Sequence, residues 1–206
     1  YMNEKGLIIV VSGPSGSGKG TVVKELLATD KKVGLSVSAT TRAPRPQETE
    51  GVHYHFMSKE RFRTLLDNGE IVEHTEYSGN DYGTLRSEIE RVTGAGLDLI
   101  LEIEVEGAMQ IKKLYGERAV LVMLIAPNAA EQERRLRNRQ TESEAVIAAR
   151  LERTRYELSL APQYEYILVN ETDGLTECAE NLSHIIRAAR QSRTRMEPVL
   201  DAYYGK

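Results

Sequence analysis

The segment VVSGPSGSGKGT, residues 10–21, constrains the fold of this chain more than any other, because it places four glycines within eight positions. The run GLIIVVSG at its start is short, apolar and β-branched, which predicts a strand buried on both faces. The residues that follow, KGTVVKELLAT, carry apolar side chains at helical spacing. A glycine-rich loop between a buried strand and a helix predicts an anion-binding loop, in which successive backbone N–H groups point inward.

The loop satisfies the pattern G-x-x-x-x-G-K between Gly13 and Lys19, which predicts a P-loop for a nucleoside triphosphate. Its candidate phosphate-binding residues are Gly13, Ser15, Gly16, Ser17, Gly18, Lys19, Gly20 and Thr21. The helix N-terminus adds positive charge, and Lys19 is expected to reach the β- and γ-phosphates. Gly20 stands where a Ser or Thr would bind Mg²⁺ directly. We therefore expect Mg²⁺ to be held mainly by phosphates and water, with Thr21 as a candidate ligand.

Further apolar runs alternate with helical patterns along the chain, among them LDLILEIEV, AVLVMLIAP and EYILVN. This alternation predicts an α/β fold, a doubly wound parallel sheet with an inserted small α+β segment and a helical lid. The run VGLSVSAT is expected to form one strand. With 206 residues, 40% of them hydrophobic, the chain suits one such domain with a substantial core.

Composition narrows the class of function. The net charge of −4 argues against a general nucleic-acid binder, and no apolar run approaches the roughly 20 residues of a membrane helix. We expect no signal peptide, because the first residues run directly into a strand pattern. The single cysteine, Cys178, excludes an internal disulfide and is expected to be a buried apolar residue of a helix. These features favour a cytoplasmic protein.

A second anion site is suggested by SVSATTRAPRP, where Arg42 and Arg45 lie three apart in a proline-flanked loop. The guanidinium fork of arginine suits phosphate oxygens. Tyr54 and Tyr82 could add hydroxyl donors to make a clamp for one phosphate monoester. The competing interpretation is a solvated basic loop with ordinary core tyrosines.

Glu73 is a candidate for reading a base, because a carboxylate accepts two parallel N–H donors and guanine presents such a pair at N1 and N2, whereas adenine does not. Ser38 and Thr84 could serve the other edge atoms of the base. Alone, Glu73 could equally be a solvated strand residue.

The run LILEIEVEG ends in Glu102 and Glu104, which lie two apart and are expected on one side of a strand. Ligands of doubly wound sheets bind at the carboxyl ends of the strands, so both carboxylates are expected to face the glycine loop. Glu102 is the second candidate for organising Mg²⁺, through water. A solvated strand end is the alternative.

The chain resembles the guanylate kinases. The motifs that carry the resemblance are SGPSGSGKGT, SVSATTRAPRP, GVHYHF, GNDYGT, LEIEVEGA and RNRQTESEAVIAARL, in family order from Leu7 to Asn170. The resemblance implies transfer of the terminal phosphoryl of ATP to GMP, and to dGMP, with Mg²⁺. It implies a P-loop core of residues 1–37, 87–130 and 161–206, a GMP-binding domain of residues 38–86, and a lid of residues 131–160.

Individual residues follow from this resemblance. The implied GMP-binding residues are Ser38, Arg42, Arg45, Tyr54, Glu73, Tyr82, Thr84 and Glu104. Arg135, Arg139 and Arg150 are implied to grip the ATP phosphates and the transferring group, with Asn170 at the adenine end. The implied catalytic charges are Lys19, Arg45, Arg139 and Arg150. Hinges are expected near Ser38 and Arg86. The chain departs from the family at Glu104, commonly Asp, and at Gln140, usually Gly.

Two other functions stay open on the sequence. One is a catalytically silent, guanylate-kinase-like interaction module, although such modules typically lose P-loop residues that this chain keeps. The other is a related P-loop kinase with a ribose phosphate as acceptor. A GTPase is disfavoured because no N-K-x-D-type guanine motif is present. The expected partners are ATP and GMP, with no nucleic acid and no membrane, and the chain could be a monomer or a homo-oligomer.

Overall fold

The computed structural model describes residues 5–77, 79–138 and 143–205, and its centre is a parallel sheet of five strands. These strands are β1 (Ile8–Ser12), β2 (Val33–Leu35), β7 (Asp98–Glu102), β8 (Ala119–Ile125) and β9 (Tyr166–Val169). Their order is β2-β7-β1-β8-β9, with β1 in the middle and every neighbouring pair parallel. The parallel sheet predicted from the apolar runs is confirmed.

Helices cover both faces of this sheet. On one face lie α1 (Lys19–Thr29) and α7 (Leu175–Arg190), and on the other lie α3 (Arg86–Gly94) and α4 (Val105–Tyr115). The other α-helices of the described residues are α2 (Lys59–Asp67), α5 (Ala129–Asn138), α6 (Glu144–Ser159) and α8 (Arg193–Tyr203). Alternate residues of β1 enter two separate cores, since side chains of a strand point to opposite faces. Ile9 and Val11 pack with α1 and α7, whereas Ile8 and Val10 pack with α3 and α4. The sheet is therefore doubly wound, as predicted.

A second sheet is inserted between β2 and α3. It contains β3 (Ala39–Thr40), β4 (His55–Phe56), β5 (Ile71–Tyr77) and β6 (Asn80–Leu85), in the order β4-β3-β6-β5. It has its own small core, in which Ala39 and Ile71 pack with Phe62 of α2. Ser58 caps α2 by accepting a hydrogen bond from the backbone N–H of Arg61.

The single strand predicted for VGLSVSAT is wrong, because the structure divides this run between the two sheets. β2 ends at Leu35 in the parallel sheet, and β3 begins at Ala39 in the second one. Between them, the N–H of Val37 donates to the Glu88 carboxylate of α3 at 3.1 Å instead of to a neighbouring strand. The chain thus crosses from one sheet to the other at residues 36–38, and it returns at Arg86, where α3 begins.

Cys178 and the lengths of the helices also test expectations from the sequence. Cys178 is buried in α7, and burial raises the pKa of its thiol to about 11, so it is the packed apolar residue that was expected. Within the described ranges, no helix has both the length and the apolar character that crossing a bilayer requires.

A buried carboxylate ties the two ends of the core together. Asp98, at the start of β7, is 2% exposed, and its Oδ1 accepts the N–H of Leu7 at 2.8 Å. Its Oδ2 accepts the Nε–H of Arg190, the last residue of α7, at 2.7 Å. Both oxygens are therefore used, one by the residue before β1 and one by the C-terminal end of α7.

Asp98→Asn is expected to lower the free energy of unfolding by about 1–3 kcal/mol, because its amide group would set N–H donors against the guanidinium of Arg190. Urea denaturation measures the change. The matched control is Asp67→Asn at the exposed end of α2, expected to stay within about 0.5 kcal/mol of wild type. Equal stability of the two variants would contradict this role of Asp98.

Candidate active site

The glycine loop leaves β1 with a backbone that an L side chain could not follow. Gly13 has φ +139°, and a Cβ there would lie 2.2 Å from the carbonyl oxygen of Leu124 in β8. Gly18 has φ +90°, and a Cβ there would lie 2.5 Å from Nδ2 of Asn170. These positions need glycine both for their dihedral angles and for the space. The loop turns back directly at the N-terminus of α1, as predicted for a P-loop.

Lys19 is folded over this loop. Its Nζ donates to the carbonyl oxygens of Gly13 at 2.5 Å and of Pro14 at 3.4 Å. Because Lys19 is also the first residue of α1, its ammonium and the positive end of the helix are directed at the same place. The arrangement offers a fixed concentration of positive charge for phosphate oxygens.

Polar side chains brace the back of the loop. Asn170, which follows β9, donates from Nδ2 to the carbonyl oxygen of Ser17 at 2.8 Å. Arg135 of α5 donates to the carbonyl oxygen of Asn170 at 2.9 Å, and its Nε binds Glu131 at 2.7 Å. The two residues are thus brought to the P-loop as expected, and the adenine contact of Asn170 and the phosphate contact of Arg135 stay predictions.

Glu102 ends β7 beside the first turn of α1. A Cβ built on Gly20 would lie 3.4 Å from Oε1 of Glu102, so the carboxylate passes close over this position. The surrounding protein raises the pKa of Glu102 by desolvation, and the charge of Lys19 opposes that rise. Thr21, one residue further along α1, is exposed. These two residues supply the hard oxygen donors that Mg²⁺ prefers.

Glu104 does not continue β7, since the strand ends at Glu102 and Glu104 occupies the position before the first residue of α4. Burial is the main cause of the raised pKa of Glu102 and of Glu73, and the charge of Glu104 adds to both rises. Glu102 lies at the carboxyl end of β7 as predicted, but the prediction that Glu104 lies on the same strand is wrong, because the chain has already turned into α4.

Three of the four predicted clamp residues lie together on the second sheet. The guanidinium of Arg42 lies 5.4 Å from the ring centroid of Tyr54, and the Tyr54 and Tyr82 rings are 6.0 Å apart. The Glu48 carboxylate, with a smaller contribution from Tyr82, raises the pKa of Arg42. Arg45 is exposed in the loop after β3.

Glu48 occupies the fork of Arg42, a contact that was not foreseen from the sequence. Its carboxylate accepts from both terminal nitrogens of Arg42, at 2.8 and 3.0 Å, and from the backbone N–H of Arg45 at 2.8 Å. These hydrogen bonds, led by that of Arg42, lower the pKa of Glu48 to about 2. Arg42 is therefore held in a fixed orientation by an ionised partner, and its guanidinium has further N–H donors besides the two that bind Glu48.

Two of the predicted base-reading residues, Glu73 and Thr84, are hydrogen-bonded to each other in the second sheet. Glu73 of β5 is 2% exposed, and its Oε2 accepts the hydroxyl of Thr84 at 3.0 Å. Its carboxylate packs on Gly107 in the first turn of α4, where a Cβ would lie 2.3 Å from Oε1. Ser38 lies half-buried just before β3. Glu73 is thus a buried carboxylate and not the solvated strand residue of the alternative interpretation.

Burial raises the pKa of Glu73 to about 7, Glu104 adds to the rise, and the hydrogen bond from Thr84 opposes it. A carboxyl group with this pKa is partly protonated near neutral pH. A ligand that offers two N–H donors would favour the ionised form, because only the carboxylate accepts both.

Arg150 of α6 spans the space between the two sheets. Its NH1 donates to the hydroxyl of Ser15 in the P-loop at 2.8 Å, and its NH2 donates to the hydroxyl of Tyr77 at the end of β5 at 3.2 Å. Arg139, the other arginine expected to contact the transferring group, lies outside the described residues. Arg150 therefore links the P-loop to the end of β5 in the second sheet.

Residues that the sequence reasoning missed brace the site from a distance along the chain. Tyr164 hydrogen-bonds the hydroxyl of Ser12, directly before the P-loop, at 2.5 Å, and burial raises its pKa to about 12. Gln132 of α5 donates to the carbonyl oxygen of Ser15 at 2.8 Å. Neither residue stands in a recognisable motif, so only spatial proximity could have revealed it.

Comparisons with known proteins agree with this geometry. The family model described as guanylate kinase matches residues 5–189. A guanylate kinase of Streptococcus thermophilus is 45% identical over 203 residues, covering 98% of this chain and 94% of that protein. One of Sphingopyxis alaskensis is 42% identical over 195 residues, covering 95% and 88%.

A solved structure shares the fold over almost the whole chain. The crystal structure of guanylate kinase from Anaplasma phagocytophilum superposes with a TM-score of 0.75 at 33% identity, and covers 98% of this chain and 96% of that one. Family model, relatives and structure all span both the parallel sheet and the inserted second sheet. This chain belongs to the guanylate kinase family.

Proposed function

We propose that the chain transfers the terminal phosphoryl group of ATP to GMP, and to dGMP, and releases ADP and GDP. The observation that carries the proposal is the position of Arg150, which donates at once to the P-loop and to the sheet that bears the predicted phosphate clamp. An arginine between a donor site and an acceptor site can neutralise charge on a phosphoryl group that passes between them. Membership in the guanylate kinase family supports the same reaction.

The donor phosphates would lie in the P-loop, against the backbone N–H groups and Lys19. An oxygen of the GMP phosphate is the nucleophile, and it is ionised near neutral pH, so the reaction needs no strong general base. The protein's contribution is positioning in line and neutralising negative charge. Lys19 and Arg150 supply this charge on the donor side, with Arg139 proposed as a third cation.

GMP would lie along the second sheet. We assign its phosphate to Arg42, Arg45, Tyr54 and Tyr82, and its base to Ser38, Glu73, Thr84 and Glu104. Ionised Glu73 would accept the N1–H and N2–H donors of guanine, while Glu48 holds Arg42 in place for the phosphate. Adenine lacks this donor pair and would leave a buried carboxylate without partners, which costs free energy.

Mg²⁺ fits the oxygen donors at the edge of the P-loop. Glu102 and Thr21 would hold it, largely through water, because the described residues contain no cluster of three acidic, His or Cys side chains suited to a metal. When bound, Mg²⁺ supplies further neutralisation of phosphate charge. Gly20 leaves room for the carboxylate of Glu102 at this position.

We further propose that residues 38–86 and 131–160 move as a GMP-binding domain and a lid around the remaining core. Closure would exclude water, which otherwise competes with GMP as acceptor. The crossings at residues 36–38 and at Arg86 are the proposed hinges of the first domain. A cytoplasmic location suits a chain with one buried, free cysteine and small nucleotides as partners.

The other two candidate functions are less well supported. An interaction module without catalysis would not need Lys19 held over a complete glycine loop. A kinase for a ribose phosphate would not need a buried carboxylate paired with Thr84 in its acceptor cleft.

Lys19→Ala is expected to lower kcat with GMP by about 10²–10³-fold, because a preorganised charge at the donor phosphates is lost. Release of ADP from Mg-ATP, measured with GMP, dGMP, AMP, CMP, UMP and ribose 1,5-bisphosphate as separate acceptors, checks the reaction. Wild type should respond only to GMP and dGMP. The matched control is Lys24→Ala on the exposed side of α1, which should keep wild-type activity. Turnover with the ribose phosphate alone would contradict the proposal.

Glu73→Gln is expected to lower kcat/KM for GMP by about 10–100-fold, corresponding to roughly 1–3 kcal/mol for a lost bidentate pair. The affinity of wild type for GMP should rise as pH increases through about 7, because Glu73 must ionise to accept both donors. Isothermal titration calorimetry between pH 6 and 8 measures this, and the variant corrects for the titration of GMP itself. Parallel pH profiles for the two proteins would contradict the role of Glu73.

The raised pKa of Glu73 also makes the free energy of unfolding depend on pH. Its folded pKa of about 7 lies above the ordinary 4.5, so between these values the folded state binds more protons than the unfolded state. The contribution of Glu73 to stability therefore falls as pH rises through this window. Urea denaturation should show Glu73→Gln gaining stability relative to wild type from pH 5 to pH 8.

A further inference from the structure

A closed ring of hydrogen bonds joins the P-loop to α5 and α6. The Nε2 group of Gln132 donates to the carbonyl oxygen of Ser15 and to the hydroxyl of Thr154, both at 2.8 Å. Thr154 donates to the carbonyl oxygen of Arg150 at 2.9 Å, and NH1 of Arg150 donates to the hydroxyl of Ser15 at 2.8 Å. The ring thus begins and ends at Ser15, and it passes through three elements of the fold.

Because the ring is buried, breaking any of its hydrogen bonds is costly, and this restricts its geometry. Gln132 is 5% and Thr154 is 7% exposed, and both N–H donors of the Gln132 amide are used. Hydrogen bonds in a low-dielectric interior are stronger, and a broken one leaves a costly unpaired group. The helix also cannot shift easily, because the backbone of Gln132 lies against Gly16, where a Cβ would be 3.1 Å from its carbonyl oxygen.

The ring acts on Arg150 at both of its ends. Thr154 lies one turn after Arg150 in α6 and binds its backbone, while Ser15 binds its guanidinium. Leu136 of α5 and Ile147 of α6 are buried apolar residues on the same two helices. The polar pair therefore adds something that packing does not supply, which is a defined distance between the turn that carries Arg150 and the P-loop.

We propose that Gln132 and Thr154 are positioning residues, which hold the guanidinium of Arg150 against the P-loop for phosphoryl transfer. The inference rests on the proposed function, in which Arg150 contacts the transferring group. It assigns a role in the reaction to two buried side chains that are not expected to touch either nucleotide.

The test compares Gln132→Met and Thr154→Val, which keep shape and lose the hydrogen bonds, with Thr154→Ser, which keeps the hydroxyl. The first two are expected to lower kcat about tenfold, to raise the dissociation constant of Mg-ATP several-fold, and to leave KM for GMP unchanged. Thr154→Ser is expected to restore most of the activity. Gln191→Met, at the exposed end of α7, is the matched control and should behave as wild type.

A double-mutant cycle with Arg150→Ala separates positioning from general stability. If Gln132 acts through Arg150, Gln132→Met should have no further effect on kcat or on Mg-ATP binding once Arg150 is absent. Thermal unfolding confirms that each variant is folded, and the double variant Gln132→Met/Thr154→Val, which removes both partners, provides a second folded protein if one single variant is unstable.

Three outcomes are distinguishable. Equal losses in the wild-type and Arg150→Ala backgrounds, or no loss at all, would overturn the positioning role while leaving the kinase reaction intact. If wild type transfers nothing to GMP, the proposed function fails. In that case the Mg-ATP dissociation constants still test the positioning role. Weaker Mg-ATP binding by Gln132→Met that disappears in the Arg150→Ala background supports it.

Discussion

The loop after β1 has its shape because its surroundings leave no room for side chains. Gly13 lies against the backbone of β8 and Gly18 against Asn170, and both have positive φ. Only this backbone brings a row of N–H groups, the start of α1 and the ammonium of Lys19 to one point. The donor site, the brace behind it and the attachment of α5 and α6 all depend on that turn.

The cationic side chains of the site are fixed by hydrogen bonds to protein oxygens, which phosphate oxygens can replace or supplement. Backbone carbonyl oxygens hold Lys19, hydroxyl groups hold Arg150, and a carboxylate holds Arg42. Cations fixed in this way need little rearrangement when negatively charged substrates arrive, which is the basis of electrostatic preorganisation. The buried carboxyl group of Glu73, in contrast, would select a neutral base that offers two N–H donors. Because its pKa is raised, binding such a base would release a proton from Glu73.

Local patterns predicted the parts of the structure that depend on neighbouring residues. The P-loop follows from a short motif, and the doubly wound sheet follows from the alternation of apolar runs with helical patterns. The division of VGLSVSAT was missed because the N–H of Val37 hydrogen-bonds Glu88, which lies 51 residues further along the chain, and not a neighbouring strand. Gln132 lies 117 residues from Ser15, and no periodicity marks such a pair. Glu48 is close in sequence to Arg42, but the charge pattern alone did not distinguish its bond from an ordinary surface ion pair.

If the chain binds both nucleotides with their phosphates in line, one bisubstrate molecule should occupy both sites at once. The probe is adenosine joined to guanosine through five phosphates, titrated into the protein by calorimetry with Mg²⁺. One molecule should bind per chain, more tightly than ATP or GMP alone and in competition with both. Binding no tighter than that of ATP, or competition with only one of the two nucleotides, would show that the two sites do not face each other as described.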